Sequence, residues 1–393
     1  MGIGSLEEIF VELKGVSREQ WGLIYLTRCA LRGEDAEPEK LAGLDLQRLL
    51  SLAKKHSMNA MAARPLRKVL DPETMLQWKK AMEKAMRKNI LLDTERRILC
   101  AEMEVRGIWY MPLKGSILKD LYPTMDMRQM SDQDILYDAS YREEICRMFL
   151  ARGYTQEGRE DSHHDTYHKE PVYNIEMHHA LIEEGDDIHM AKYYRNVKDR
   201  LIPDKPGGFG HHFTDEDFYV YMTAHAYRHY VERGIGIRAL VDIHVYENKK
   251  PNLDWSYIEK ECAKLRIDGY EKRSRILSRK LFGSEQIQEL DEGDLDLLIY
   301  SFDAGTHGSE AGFIDHELKR MQKGGKISFW TKIRFLFRRL FPSPEWMMQK
   351  NKKLRQHPWM IPFAWIGRLF RGAFRRREHT VKELRYIMDT EEK

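Results

Sequence analysis

Leu113-Lys114-Gly115-Ser116, then fifteen residues, then Asp132-Gln133-Asp134-Ile135-Leu136-Tyr137 is the stretch that decides the reading of this chain. The first part looks like a strand that turns into a helix through a Gly-Ser pair. Such a turn offers unhindered backbone N–H groups and a hydroxyl to phosphate oxygens. The second part looks like a strand carrying aspartates at i and i+2, which project from one face. Like charges that close repel one another unless a divalent cation sits between them, and Mg2+ or Mn2+ held by carboxylates and phosphates is the natural resolution. A third acid is available downstream. In Val172-Tyr173-Asn174-Ile175-Glu176-Met177-His178, alternation places Asn174, Glu176 and His178 on one face and Tyr173, Ile175 and Met177 on the other.

Working outward, the spacing predicts strands over 108–113 and 133–137, a short helix over 116–121 and a longer one over 141–151. Extended runs follow around 166–169 and 172–178. Together they define an α/β unit over 107–203. Upstream, residues 1–106 read as helices, with Leu6, Ile9, Phe10 and Leu13 at helical spacing near the start. Asp71-Pro72-Glu73 supplies a cap, a first-turn proline and an acid, and nothing interrupts the pattern until Arg106-Gly107, so one long helix is predicted there. The Pro- and Gly-rich run 203–210 breaks every regular pattern and is read as a domain boundary. Helices are predicted again over 214–302, then a second linker over 303–309, then a tail over 314–393.

The fuller phrase, with Leu121-Tyr122-Pro123 and Arg128-Gln129-Met130-Ser131-Asp132-Gln133-Asp134-Ile135-Leu136, resembles a family of uncharacterised bacterial nucleotidyltransferases. These share the Gly-Ser, Asp-x-Asp and later strand acid of the superfamily that includes DNA polymerase beta. Glu176-Met177-His178 matches the family's acid-x-His strand, and His225, His229, Arg238 and Asp242 match its later helical pattern. Phe341-Pro342-Ser343 and 358–368 also look like the family, so the likeness runs from about residue 20 to 370. It implies an α+β fold: a polymerase beta-like domain with a small mixed sheet, flanked by helical segments. It also implies transfer of a nucleoside monophosphate from NTP to an unidentified acceptor hydroxyl, with release of pyrophosphate. Asp132, Asp134 and Glu176 would be catalytic and hold Mg2+ or Mn2+; Lys114, Gly115, Ser116 and Arg128 would bind the nucleotide; His178, His225 and His229 would stand behind them. This sequence departs from the pattern in its longer Gly-Ser to Asp spacer and in Gln133, which stands where an apolar residue is usual. Facing the core, Gln133 must find partners or cost stability.

Several residues carry two readings. Lys114 pairs with phosphate or lies solvated beside the strand, and Arg128 steadies a phosphate or forms a salt bridge to Asp126 or Asp132. Arg238 and Asp242 are first an intrahelical pair. His163, His164, His168 and His179 are expected at the surface, and His225 with His229 along a cleft. A hydrophobic share of 42% and a charged share of 32% exclude wholesale disorder. Cys29, Cys100, Cys146 and Cys262 lack CxxC spacing, which argues against a zinc ribbon and suits a reducing, cytoplasmic setting. The start has neither the n-region nor the h-region of a secretory signal. Residues 321–393 hold eighteen Lys and Arg against six Asp and Glu, a net of +12, leaving −9 for the other 320 residues of a chain at +3 overall. Aromatic residues interleave with these cations. That composition suits an interfacial helix on anionic lipid at the inner face of a membrane. RNA contact is the second functional reading, and packing of both helices on the acidic body stands level with the membrane one. A non-catalytic, membrane-associated adaptor that keeps the fold is the alternative to an enzyme.

Overall fold

The computed structural model describes residues 15–157, 163–182, 187–284, 286–306, 308, 310–322, 327–374 and 377–389. The helix expected around Leu6 to Leu13 and the cations Arg375 and Arg376 lie outside these residues. The expectation of an α+β chain with a small mixed sheet between helical segments holds.

Five strands form that sheet: β1 (Tyr110–Pro112), β2 (Gln133–Tyr137), β3 (Thr155–Glu157), β4 (His164–Lys169) and β5 (Tyr173–His178), in the order β1-β2-β5-β4-β3. The β2–β5 pair is parallel and the rest are antiparallel. β3, three exposed residues with no apolar alternation, is an edge strand that the sequence pattern does not announce. The long helix Pro72–Arg106 begins at Asp71, whose carboxylate accepts from the Glu73 and Thr74 N–H groups, and ends at Gly107 in the left-handed conformation.

The cores cross the sequence boundaries. One face of the sheet (Ile135, Tyr137, Ile175, Met177) packs against Leu92, Leu99 and Met103 of the long helix. The other face (Met111, Leu136) packs on helices from the 188–267 region, with Tyr221 and Ile243 in the same core. A third core joins Trp21, Leu49 and Trp78 of the N-terminal helices to Val241, Leu277 and Phe302 far downstream. The run 203–210 is the turn of a docked hairpin. Strands β6 (Leu201–Pro203) and β7 (His211–Phe213) pair around it, and the Phe209 and Gly210 N–H groups donate to Glu104 on the long helix. Two elements flank the sheet's carboxylate end: helix Asp215–Glu232, capped by Thr214, and helix Arg238–Lys249.

Candidate active site

The parallel register places Asp134 of β2 opposite Glu176 of β5, so the two carboxylates lie side by side on neighbouring strands. Asp132 stands just before β2, one pleat from Asp134. His178, two residues beyond Glu176 on the same face, is buried and brings its Nε2 to 2.8 Å from Asp134 Oδ1 and 3.5 Å from Glu176 Oε2. One ligand atom from each of Asp134, Glu176 and His178 lies within 4.8 Å of the others, and the same holds for His163, His164 and His178. The His163 and His164 rings thus gather on the acids instead of scattering on the surface as the sequence suggested. His168 stays outside this group, 3.1 Å from Glu157.

Lys114 and Gly115 form the turn at the other edge of β2. Lys114 has φ 39° and ψ −106°, a positive φ that a non-glycine residue rarely adopts, and strain of this kind concentrates at functional positions. Its ammonium lies 3.6 Å from Asp134 Oδ2. Gly115 is closely covered: a Cβ there would sit 2.7 Å from Met130 Sδ and 2.9 Å from Arg128 Nη1, so those side chains would have to shift to admit one. Ser116 turns inward. It is buried, and its hydroxyl accepts from the Gln133 side-chain amide, which is how Gln133 satisfies its donor in the core. The hydroxyl expected to meet phosphate therefore faces protein. The Gln133 Oε1 is a buried acceptor with no hydrogen-bond partner.

Lys114, Gly115, the three acids and His163, His164 and His178 line a cavity of about 600 Å³, within the roughly 300–1,000 Å³ range of small-molecule sites; Ser116 and Gln133 are not part of its lining. Its walls differ in charge. Asp132, Asp134 and Glu176 lie on the strand side; His225, Arg228, His229, Arg233 and Arg238 come from the helical side. Positions 225, 228, 229 and 232 form one polar face on a helix that otherwise buries Phe218, Tyr219, Val220 and Tyr221. Arg228 and Arg233 were missed in the sequence; the 3–4 spacing is a legible signal for Arg228, whereas Arg233 caps the helix and has no such signal. His225 and His229 approach to 3.1 Å between their Nε2 atoms.

The electrostatics show a site short of positive charge. Burial, then repulsion from Asp134 and Glu176, pushes the Asp132 carboxyl up to about 6. Burial would raise Asp134 as well, but Lys114 and the hydrogen bond from His178 outweigh it and hold that carboxyl below the usual range. Burial opposes charge on His178, yet Asp134 and Glu176 outweigh it and raise its pKa. Across the cavity, burial and then the nearby cations push His229 down to about 4 and His225 well below the ordinary imidazole value. Asp134, Glu176 and His178 are the acid-bearing group whose ligand atoms lie close enough to share one metal ion, and Asp132 stands beside that group, not within it.

Arg128 lines the cavity, but its guanidinium is engaged. It grips Asp242 with two hydrogen bonds of 2.8 and 3.0 Å, and the Tyr122 hydroxyl donates to the same carboxylate at 2.7 Å. Among the described residues Arg128 pairs with Asp242, and Asp126, one of the two acids expected for it, is taken by Arg64. The intrahelical Arg238–Asp242 pair is likewise replaced: Asp242 turns to Arg128, and Arg238 donates to the Gln129 carbonyl at 3.1 Å.

The mixed sheet brings Asp132, Asp134 and Glu176 to one wall of a cavity whose helical wall carries Arg228, Arg233 and Arg238 together with Glu232 and Asp242. The particular family is shown by sequence: a family model described as uncharacterised nucleotidyltransferase matches residues 42–283, and the chain belongs to that family. Comparison with curated proteins found no match. Among solved structures the chain is similar to an antigenic nucleotidyltransferase-like protein from Paracoccidioides brasiliensis. That likeness has 12% identity and covers 46% of this chain and 92% of that one, with a TM-score of 0.30, too low to carry an argument.

Proposed function

We propose that this chain is a metal-dependent nucleotidyltransferase of the polymerase beta type, moving a nucleoside monophosphate from NTP to an acceptor hydroxyl with release of pyrophosphate. The observation that carries the reading is the pairing, within one cavity, of the Asp132–Asp134–Glu176 wall with the Arg228–Arg233–Arg238 wall. A triphosphate complexed with a divalent cation presents both signs of charge and fits between them. Family membership supports the reaction class.

Asp132, Asp134 and Glu176 would hold Mg2+ or Mn2+, which when bound supplies charge neutralisation at the phosphates and at the acceptor oxygen. Lys114, 3.6 Å from Asp134 and beside the backbone of Gly115, would reach toward the phosphates. His178 orients Asp134 through its 2.8 Å hydrogen bond, and Glu176 accepts the proton of the acceptor hydroxyl. Most of the rate enhancement would come from positioning and charge stabilisation.

The test is a calorimetric titration of manganese–nucleotide, run across the four NTPs, into wild type and Asp132→Asn/Asp134→Asn. Binding lost in the double variant is the expected result; equal binding by both would remove the site. A panel of radiolabelled NTPs incubated with cell-extract fractions then identifies the acceptor. There, Glu176→Gln should abolish transfer while nucleotide affinity stays within roughly tenfold of wild type. Transfer close to wild type in that variant would mean that Glu176 is not the third acid.

A further inference from the structure

The basic tail is folded, and its inward face is already occupied. Ile314, Leu318, Phe335 and Ile387 form a small core, the Lys332 ammonium donates to the Met388 carbonyl at 2.7 Å, and the Trp365 indole donates to the Pro342 carbonyl at 3.0 Å. The outward face is the unusual one. Along the turn Pro358–Met360 and the helix Ile361–Phe374, Trp359, Phe363 and Ile366 are 69%, 65% and 51% exposed, at spacings of four and three that set them in one stripe. The neighbouring helix Phe329–Leu340, which meets it through Phe341 and Trp365 at 6.0 Å, exposes Trp330 and Phe337 with Arg334 and Arg338 beside them. Packing on the chain's own body therefore does not account for this face.

We propose that the helices Phe329–Leu340 and Ile361–Phe374 form a docking surface for an anionic lipid bilayer, with the aromatic stripe in the headgroup region and the flanking arginines against lipid phosphates. Three observations select this occupant. Large apolar side chains, two of them tryptophans, stand in rows on amphipathic helices, the form of an interfacial anchor. The surrounding segment carries +12 while the rest of the chain carries −9, so attraction to an anionic surface is concentrated here. The 14-residue helix would measure roughly 21 Å, shorter than a bilayer core, and no described helix is long and apolar enough to cross a membrane, so it lies in the interface plane.

Full-length protein is sedimented with phosphatidylcholine vesicles and with phosphatidylcholine–phosphatidylglycerol vesicles, at low and high salt, and its oligomeric state is measured in parallel by light scattering. Binding to the anionic vesicles should be at least about tenfold stronger than to neutral ones and should weaken as salt rises. Trp359→Ser/Phe363→Ser/Ile366→Ser, all outward-facing, should abolish binding to either vesicle with an unchanged melting temperature. Arg334→Gln/Arg338→Gln should reduce the preference for anionic vesicles. Absence of binding at low salt overturns the proposal. So does self-association that the triple variant abolishes, which would make a second copy the occupant, or retention of RNA in preference to anionic vesicles.

Discussion

Asp132 is kept in a condition that its surroundings oppose. Burial and two neighbouring carboxylates raise its pKa from 3.8 to about 6, so ionising it near neutral pH works against the fold. Below about pH 4 both folded and unfolded chains hold the proton and no penalty exists. As pH rises, the unfolded chain releases the proton first, and the penalty is complete above about pH 6. Asp132→Asn should therefore be more stable than wild type at pH 7 by of order 1 kcal/mol, with the gain vanishing near pH 4. Thermal denaturation across that range checks it, and a variant less stable at pH 7 would contradict the sign. Ser116 presents the opposite case. Because its hydroxyl serves Gln133, Ser116→Ala should cost about 1–3 kcal/mol of stability by stranding a buried amide, and change nucleotide affinity little. A large loss of affinity with unchanged stability would restore the hydroxyl to the phosphates.

The element that explains the long Gly-Ser to Asp spacer is the irregular segment 119–131. The Asn89 side chain on the long helix donates to the Met125 and Arg128 carbonyls and accepts from the Met130 N–H. Gln129 accepts from the Ala60 N–H, and Tyr122 and Arg128 close on Asp242. The extra length thus ties the N-terminal helices, the sheet and the helix Arg238–Lys249 to one loop that ends at Asp132. The Tyr-Pro and Arg-x-Met positions are legible in sequence as a pattern, but their partner lies more than a hundred residues away and only folding reveals it. Removing one partner leaves a buried charge, so Asp242→Asn or Arg128→Leu should cost roughly 3–5 kcal/mol in chemical denaturation. Arg128→Met/Asp242→Leu together should recover a good part of that loss. A double variant as unstable as the sum of the singles would show that the pair is not what holds the loop.

At the scale of the whole molecule, several imidazoles are folded away in the neutral state. Burial pushes His56 down to about 3 and His229 and His244 down to about 4. His56 has no exposed surface and packs edge-on against the Phe302 ring. A depressed imidazole contributes its stability above the unfolded value of 6.5. As pH falls below that, the unfolded chain takes up protons that the folded chain refuses, and stability drains away toward the folded values. Acid destabilisation should therefore begin near pH 6.5, well above the carboxylate range, and His56→Leu should flatten that limb. Urea midpoints measured between pH 7 and pH 5 decide it: because Asp132 and His178 act with the opposite sign there, the comparison is between wild type and His56→Leu, and an equal slope in the two would remove His56 as a cause.

Local pattern was enough for the elements that organise the site. The capped helix Pro72–Arg106 and the strand Gln133–Tyr137 emerge where spacing places them, because caps and alternation act within a few residues. The same alternation put Glu176 and His178 on one face, and parallel pairing with β2 then set Asp134 opposite Glu176. What sequence spacing could not contain is which charges meet. Arg128 chooses Asp242 over nearer acids, Ser116 turns to Gln133, and Arg228 and Arg233 arrive from a helix beyond the hairpin to face the carboxylates. Such partnerships depend on distance in space and on the burial that makes an unpaired polar group costly, and both come into being only when the helices before and after the sheet share its cores.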